Sequence, residues 1–331
     1  VNTGPSSSRL PAESRQLAAG TFGSRVLFAG LITAVFSVLA WADWIGLGGA
    51  LPAWWLLPVA IVLAVGGVDE LMRFFATRDI ALPSWLLRPA VVAVVLSAAA
   101  GAEAFAAASS TASPAAAIGW PAVTVTFAAM LLFIAEIATY RTHGGAIERL
   151  AAGIFTLVFI GLPMACIVSL RLLCRDNLGP EQTGQAHLGP GHLGMLPLVS
   201  LVAVAKAGDI AAYLGGSLVG RRRLAPTLSP GKTWEGAVAS LAGASAAAWI
   251  VLEFLAGTAS ANGPWGGWLV FGICVGLAAM VGDLAESLLK RECGVKDSGR
   301  SLGGMGGVLD LIDSLLFAAP VAWLLWVLGG G

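Results

Sequence analysis

The sequence predicts an all-α polytopic membrane protein of about nine transmembrane helices, with the N-terminus in the cytosol and the C-terminus outside. Three observations carry this reading. Only 11% of the 331 residues are charged and 57% are hydrophobic, whereas soluble domains hold about 25% charged residues. Apolar runs recur at 26–45, 53–72, 89–108, 119–140, 150–173, 194–218, 234–256, 266–289 and 308–328. Each is near the roughly 20 residues a helix needs to cross a bilayer. The third observation is charge asymmetry. If the N-terminus is inside and all nine runs cross, 16 Lys and Arg face the cytosol and 2, Arg171 and Arg175, face outside. Loop cations orient membrane proteins in this sense.

In chain order, residues 1–25 are rich in Ser, Arg and Ala and read as a disordered cytosolic tail without a cleavable signal peptide. Residues 26–193 follow as N-terminal transmembrane helices. The run at 53–72 is interrupted by Pro58 and by Gly66 and Gly67, and it ends in Asp69 and Glu70, a candidate site edge. Connections 109–118 and 257–265 carry no charge, as outer loops should, and 174–193 reads as an ordinary outer connector. Residues 194–331 form a C-terminal transmembrane region with two cytosolic loops, 219–233 and 290–307. The four cysteines lie in or beside apolar runs without metal-ligand spacing and read as small buried hydrophobes. Lys plus Arg equals Asp plus Glu at 19 each, so net charge says nothing about an acidic partner.

Charge at membrane depth costs about 2.5–3.5 kcal/mol per residue and marks function or a specific pair. Here it gathers late in the chain. Asp209 follows Lys206 by three residues, Asp283 and Glu286 are three apart, and so are Asp310 and Asp313. Each close pair therefore shares one helix face. Two such faces meeting across the glycine-rich turn at 303–307 make an oxygen cage of the kind Mg²⁺ accepts beside phosphate oxygens. Glu286 can instead pair with Lys290 at i,i+4. For Asp283, Asp310 and Asp313 no equal number of cations lies in the same helices, so a metal ion is the simpler counter-charge. Glu103, Glu136 and Glu253 stand alone in apolar runs and read as packing or interfacial residues.

A second constellation runs from Asp209 and Tyr213 through Gly220 and Arg221–Arg223 to Leu228-Ser229-Pro230-Gly231-Lys232-Thr233-Trp234-Glu235-Gly236. Ser-Pro before an apolar run predicts a helix start with Ser229 at N-cap and Pro230 at N1. Free N–H groups there, with Lys232 beside them, make a phosphate site. The Gly231-Lys232-Thr233 tripeptide is not the tail of a P-loop, because the motif's first glycine would fall on Pro226. Arg221–Arg223 alone read as positive-inside anchoring.

Together the two stretches resemble the phosphatidate cytidylyltransferases, the CDP-diacylglycerol synthases. That family's C-terminal signature is matched by Ser287-Leu288-Leu289-Lys290-Arg291, Lys296-Asp297, Met305-Gly306-Gly307 and Asp310-Leu311-Ile312-Asp313-Ser314, and its second block by the stretch from Asp209 to Gly236. Roughly residues 200–318 are covered, with spacing intact. Met305 stands where the signature has His, and Leu311 where it has Arg, so any role of those two side chains does not carry over.

The resemblance implies transfer of a cytidylyl group from CTP to phosphatidate, giving CDP-diacylglycerol and pyrophosphate. It implies Mg²⁺, with or without a second cation, on Asp283, Asp310 and Asp313. Ser229, Lys232, Lys290, Arg291, Lys296, Asp297 and Asp209 become the substrate contacts. The setting implied is a bacterial-type inner membrane with the site facing the cytosol. The partners are CTP and bilayer phosphatidate, not nucleic acid. Similar enzymes act as homodimers, which this sequence neither supports nor opposes. Two rivals keep the acids but change the chemistry. One is another CTP-dependent lipid enzyme, either a cytidylyltransferase for a different lipid phosphate or a polyprenol-type kinase. The other is an ion-coupled transporter, which would show mid-bilayer charges and internal repeats.

Overall fold

A computed structural model describes residues 34–45, 47, 53–108, 119–140, 144–173, 195–255, 263–295 and 306–329. Nine helices occur among them: α1 (Ala34–Trp44), α2 (Leu57–Ala76), α3 (Ser84–Ala108), α4 (Gly119–Thr139), α5 (Ala146–Leu172), α6 (Met195–Val219), α7 (Trp234–Phe254), α8 (Gly267–Glu292) and α9 (Val308–Leu328). Seven of these, α3 to α9, are long and apolar enough to cross a membrane. Helix α2 has 20 residues but carries Asp69, Glu70 and Arg73 near its end. The expected tail, the connector 174–193 and residues 296–305 lie outside the described residues.

The interruptions expected in 53–72 do not break α2. Pro58 sits in its first turn, where a missing N–H costs nothing. Gly66 and Gly67 remain helical and let neighbours approach: Val308 closes on Gly66, and Ile160 and Ile312 on Gly67. In α5 a π-helical turn, Leu157–Gly161, precedes Pro163 and absorbs the carbonyl crowding that proline brings.

The apolar side chains form two large clusters. One joins α2, α3, α4 and α5 to the first half of α9; the other joins the end of α5 to α6, α7, α8 and the second half of α9. Helix α9 therefore belongs to both. Small residues bring α6 and α7 together, with Gly208 against Ser240 and Ala244, Gly215 against Ala239 and Gly243 against Ala211. Without a hydrophobic driving force between helices in lipid, such close backbone approach supplies the packing energy.

Loop 219–233 is not an irregular connector. It forms a two-stranded antiparallel hairpin, β1 (Arg223–Ala225) and β2 (Ser229–Thr233), with Arg223 opposite Thr233 and Ala225 opposite Ser229. The helix start expected at Ser229 is corrected by this. Residues 229–233 are extended, and the N-cap of α7 is Thr233, whose Oγ1 accepts from Gly236 N at 3.1 Å. Pairing with β1 holds Ser229 and Pro230 in a strand, and the threonine hydroxyl supplies the cap four residues later.

Candidate active site

Four elements converge at one end of the bundle: the last turns of α2 and α8, the first turn of α9 and the hairpin. Ion pairs and hydrogen bonds fix them to each other. Arg78, just beyond α2, pairs with Glu292 at 2.6 Å, and Thr77 Oγ1 donates to the Cys293 carbonyl at 3.2 Å. Arg291 Nε donates to the Leu228 carbonyl at the hairpin turn, 3.2 Å away. Asp43 and Arg171, at the other end of the bundle, form a buried ion pair of 2.6 Å between α1 and α5.

The first turn of α9 is held by a residue far away in sequence. Its leading N–H groups have no partners within the helix. Glu70 of α2 accepts from the first two, Val308 N at 2.9 Å and Leu309 N at 2.8 Å, and is itself buried. Gly307 N donates to Asp310 Oδ2 at 2.7 Å, and Gly306 precedes it with φ +110°, where L side chains are strained. A Cβ at Gly306 would also strike the Asp310 carboxylate. The Gly306-Gly307 turn thus follows from the geometry needed to place Asp310.

Asp283 and Glu286 of α8 meet Asp313 of α9, and one carboxylate oxygen from each lies within 4.8 Å of the others. Gly282 makes this possible, since a side chain there would collide with the Asp313 carbonyl oxygen. Lys232 on β2 stands 2.6 Å from Asp283 Oδ2. That ion pair is not aligned as a hydrogen bond, and the buried Lys232 ammonium has no hydrogen-bond partner among the described residues. Lys290 bridges Glu286 Oε2 and Asp310 Oδ1, at 2.7 Å from each. Below the cluster, Ser314 Oγ donates to Asp209 Oδ2 at 3.1 Å, and Lys206 reaches Asp209, Ser314 and the Leu311 carbonyl.

The sequence-derived set is therefore divided. Asp283 and Asp313 come together with Lys232 beside them. Asp310 turns its carboxylate toward Lys290 and the Gly307 N–H, while Glu286 takes the third corner of the acidic cluster. Asp209 lies one helix away, joined through Ser314. Arg291 ties α8 to the hairpin. Ser229, on β2, makes no polar contact with the acids among the described residues. Lys296, Asp297 and Met305 lie outside those residues. Glu286 carried a signal in its i,i+3 spacing from Asp283; Glu70 carried only its place at the end of an apolar run.

The expected phosphate site on the α7 N-terminus is also corrected. Trp234 N donates to the Arg222 carbonyl at 2.9 Å, and Gly236 N is taken by Thr233. Glu235 turns back to accept the Arg221 and Arg222 backbone N–H groups. The helix N-terminus is thus occupied, and the positive groups beside the acids are the Lys232 and Lys290 ammonium groups.

The cluster fits a hard divalent cation. It offers carboxylate oxygens alone, the donor type that Mg²⁺ prefers. Glu286 Oε1 is buried without a hydrogen-bond partner among the described residues. Asp283, Glu286, Asp310 and Asp313 face Lys232 and Lys290, four carboxylates against two ammonium groups. The imbalance equals the charge of one such ion.

A sequence profile described as Cytidylyltransferase family matches residues 23–328. The phosphatidate cytidylyltransferase of Brucella suis is 43% identical over 136 residues, 41% of this chain and 48% of that protein. Its namesake in Haemophilus influenzae is 40% identical over 127 residues, 38% of this chain and 44% of that protein. The one in Mycobacterium bovis is 34% identical over 203 residues, 60% of this chain and 59% of that protein. The chain thus spans about half the length of the curated relatives it matches. The profile covers nearly all of the sequence, and the chain belongs to the cytidylyltransferase family.

Proposed function

We propose that this protein is a phosphatidate cytidylyltransferase that converts CTP and phosphatidate to CDP-diacylglycerol and pyrophosphate. The observation that carries the proposal is the meeting of Asp283, Glu286 and Asp313 with Lys232 and Lys290 at one end of a membrane-helix bundle. The relatives that bear this name support it.

In this reaction a phosphatidate oxygen attacks the α-phosphorus of CTP. A new P–O bond forms there, the bond to the bridging oxygen breaks, and the electron pair leaves with pyrophosphate. The nucleophile is already anionic, so the chain must position and neutralise rather than remove a proton. Lys232, held beside Asp283 without a full hydrogen bond, is placed to turn its ammonium to a phosphate oxygen. Lys290 keeps the Glu286 and Asp310 carboxylates together and so fixes α8 against α9. Ser229, Arg291, Lys296, Asp297 and Asp209 complete the proposed substrate surround. Asp283, Glu286 and Asp313 would hold Mg²⁺, with Asp310 at the rim of the same set. When bound, the ion supplies charge neutralisation for the phosphates and the leaving pyrophosphate. A second cation and a homodimer belong to this reading as further expectations.

The proposed orientation puts this end of the bundle in the cytosol, where CTP is available, with α1 and α2 completing nine spans and the C-terminus outside. Residues 194–331 are the catalytic region, helped by Glu70 from the N-terminal helices 26–193. The alternation of helix ends supports α2 as a span: the Asp43–Arg171 pair lies opposite the site, as an odd number of crossings between pair and site requires.

Purified protein given CTP, Mg²⁺ and phosphatidate should yield CDP-diacylglycerol by mass spectrometry, with pyrophosphate released in equal amount. Asp283→Asn and Asp313→Asn should each lower turnover at least about a hundredfold, the scale of losing one preorganised charge contact. Normal turnover in both would sink the metal assignment. A panel of other lipid phosphates as acceptors separates the related cytidylyltransferases.

A further inference from the structure

Three consecutive arginines lead into the β-hairpin, Arg221, Arg222 and Arg223, the last of them in β1, and all are exposed. The nearest acid, Glu235, spends its carboxylate on the backbone N–H groups of Arg221 and Arg222, and no carboxylate is ion-paired with any of the three guanidinium groups among the described residues. The hairpin joins two membrane-length helices, so it lies where bilayer meets water. Around it Tyr213, Leu218, Val219 and Trp234 are all more than half exposed. Aromatic rings with a polar edge favour that interface, and aliphatic side chains beside them suit acyl chains.

Positive-inside anchoring alone accounts for arginines near a helix end, but not for their place in the hairpin. Arg223 pairs across the strands with Thr233, the residue after Lys232. Paired Cα atoms in an antiparallel ladder are about 5 Å apart. Arg223 therefore sits one strand's width from the strand whose lysine touches Asp283, and Arg221 and Arg222 lead into it. We infer that Arg221–Arg223 form a docking surface for the phosphomonoester headgroup of the lipid substrate, which passes from them to Lys232 on the neighbouring strand. Several guanidinium forks match a dianionic phosphomonoester better than a singly charged phosphodiester, since it offers a third non-bridging oxygen and a second negative charge. The inference rests on the phosphatidate reading above and adds to it the route of the lipid.

The test uses the full chain in nanodiscs of phosphatidylcholine containing either phosphatidate or phosphatidylglycerol, with retained lipid counted by native mass spectrometry. The wild type should enrich phosphatidate over phosphatidylglycerol several-fold, and the triple variant R221Q/R222Q/R223Q should lose that preference. In the activity assay the triple variant should raise the apparent KM for phosphatidate surface fraction about tenfold, the scale of losing charge-assisted hydrogen bonds. Its KM for CTP and its kcat at saturating phosphatidate should stay near wild type. The single variant R222Q, with a smaller shift in the same direction, serves if the triple variant does not fold. Equal retention of both lipids by the wild type, or an unchanged preference in the variant, overturns the inference. Phosphatidate enrichment without cytidylyl transfer would leave the docking surface standing and fail the enzymatic reading; transfer with no enrichment would do the reverse.

Discussion

Glu70 is the residue on which the position of the acids depends, although it lies more than two hundred positions before them. It is buried, and both its oxygens accept from the first turn of α9. Those N–H groups would otherwise be orphaned inside the protein, at about 1–3 kcal/mol for each unsatisfied group. Glu70→Ala should therefore destabilise the protein by about 2 kcal/mol, read as a shift in thermal unfolding in detergent. Turnover should fall as well, because Asp310 and Asp313 ride on that turn. Unchanged unfolding and unchanged turnover together would refute the anchoring role. The sequence made Asp69 and Glu70 a candidate site edge, but not the contact itself. Spacing rules relate residues within one helix; they are silent on which helix supplies the partner. The same limit explains why the i,i+3 pairs were legible while their division between cation and lysine was not. Asp310 shares a face with Asp313, yet Lys290 and the Gly307 N–H draw its carboxylate aside.

At the scale of elements, the meeting of α8 and α9 depends on one missing side chain. Gly282 lies against the backbone carbonyl of Asp313, and a Cβ there has no flexible neighbour to displace. Gly282→Ala should cost about 1–3 kcal/mol through overpacking and should separate Asp283 from Asp313. The expected signature is a stability loss accompanied by a weaker Mg²⁺ dependence of activity. Gly119→Ala, where a Cβ meets nothing within 4 Å, is the matched control and should stay within about 0.5 kcal/mol. If the two substitutions behave alike, close approach at Gly282 is not what sets the site. The hairpin shows where element-level reading failed. Ser229-Pro230 before an apolar run has the residues of a helix start, but Arg223 and Ala225 opposite give the backbone a strand partner. Cross-strand pairing is a tertiary fact that local capping preferences do not contain. Thr233, a good cap in its own right, was available four residues on.

At the scale of the whole molecule, composition and hydropathy made the architecture legible. Seven membrane-length helices fall at the expected runs from α3 to α9, because the roughly 20-residue apolar period needs no partner to be seen. Orientation was read from loop cations, and it is open to direct measurement. A cysteine placed at the exposed hairpin position Thr227, with Cys166, Cys174, Cys274 and Cys293 replaced by Ala, should react with an impermeant maleimide only in inside-out vesicles. Labelling in right-side-out vesicles instead would reverse the topology and remove the site from its CTP supply. Both apolar clusters share α9, so the N-terminal helices pack into the same scaffold that carries Asp310 and Asp313.

The central claim, that the acids and lysines at this end of the bundle transfer a cytidylyl group to a lipid phosphate, turns on the fate of the CTP phosphates. The most direct measurement supplies phosphatidate and Mg²⁺ with CTP labelled at the α- or the γ-phosphorus, for the wild type and Asp283→Asn in parallel. The α label is expected in the lipid fraction and the γ label in pyrophosphate, with both transfers abolished in the variant. A γ label in the lipid, with CDP released, would contradict the account and make the protein a kinase.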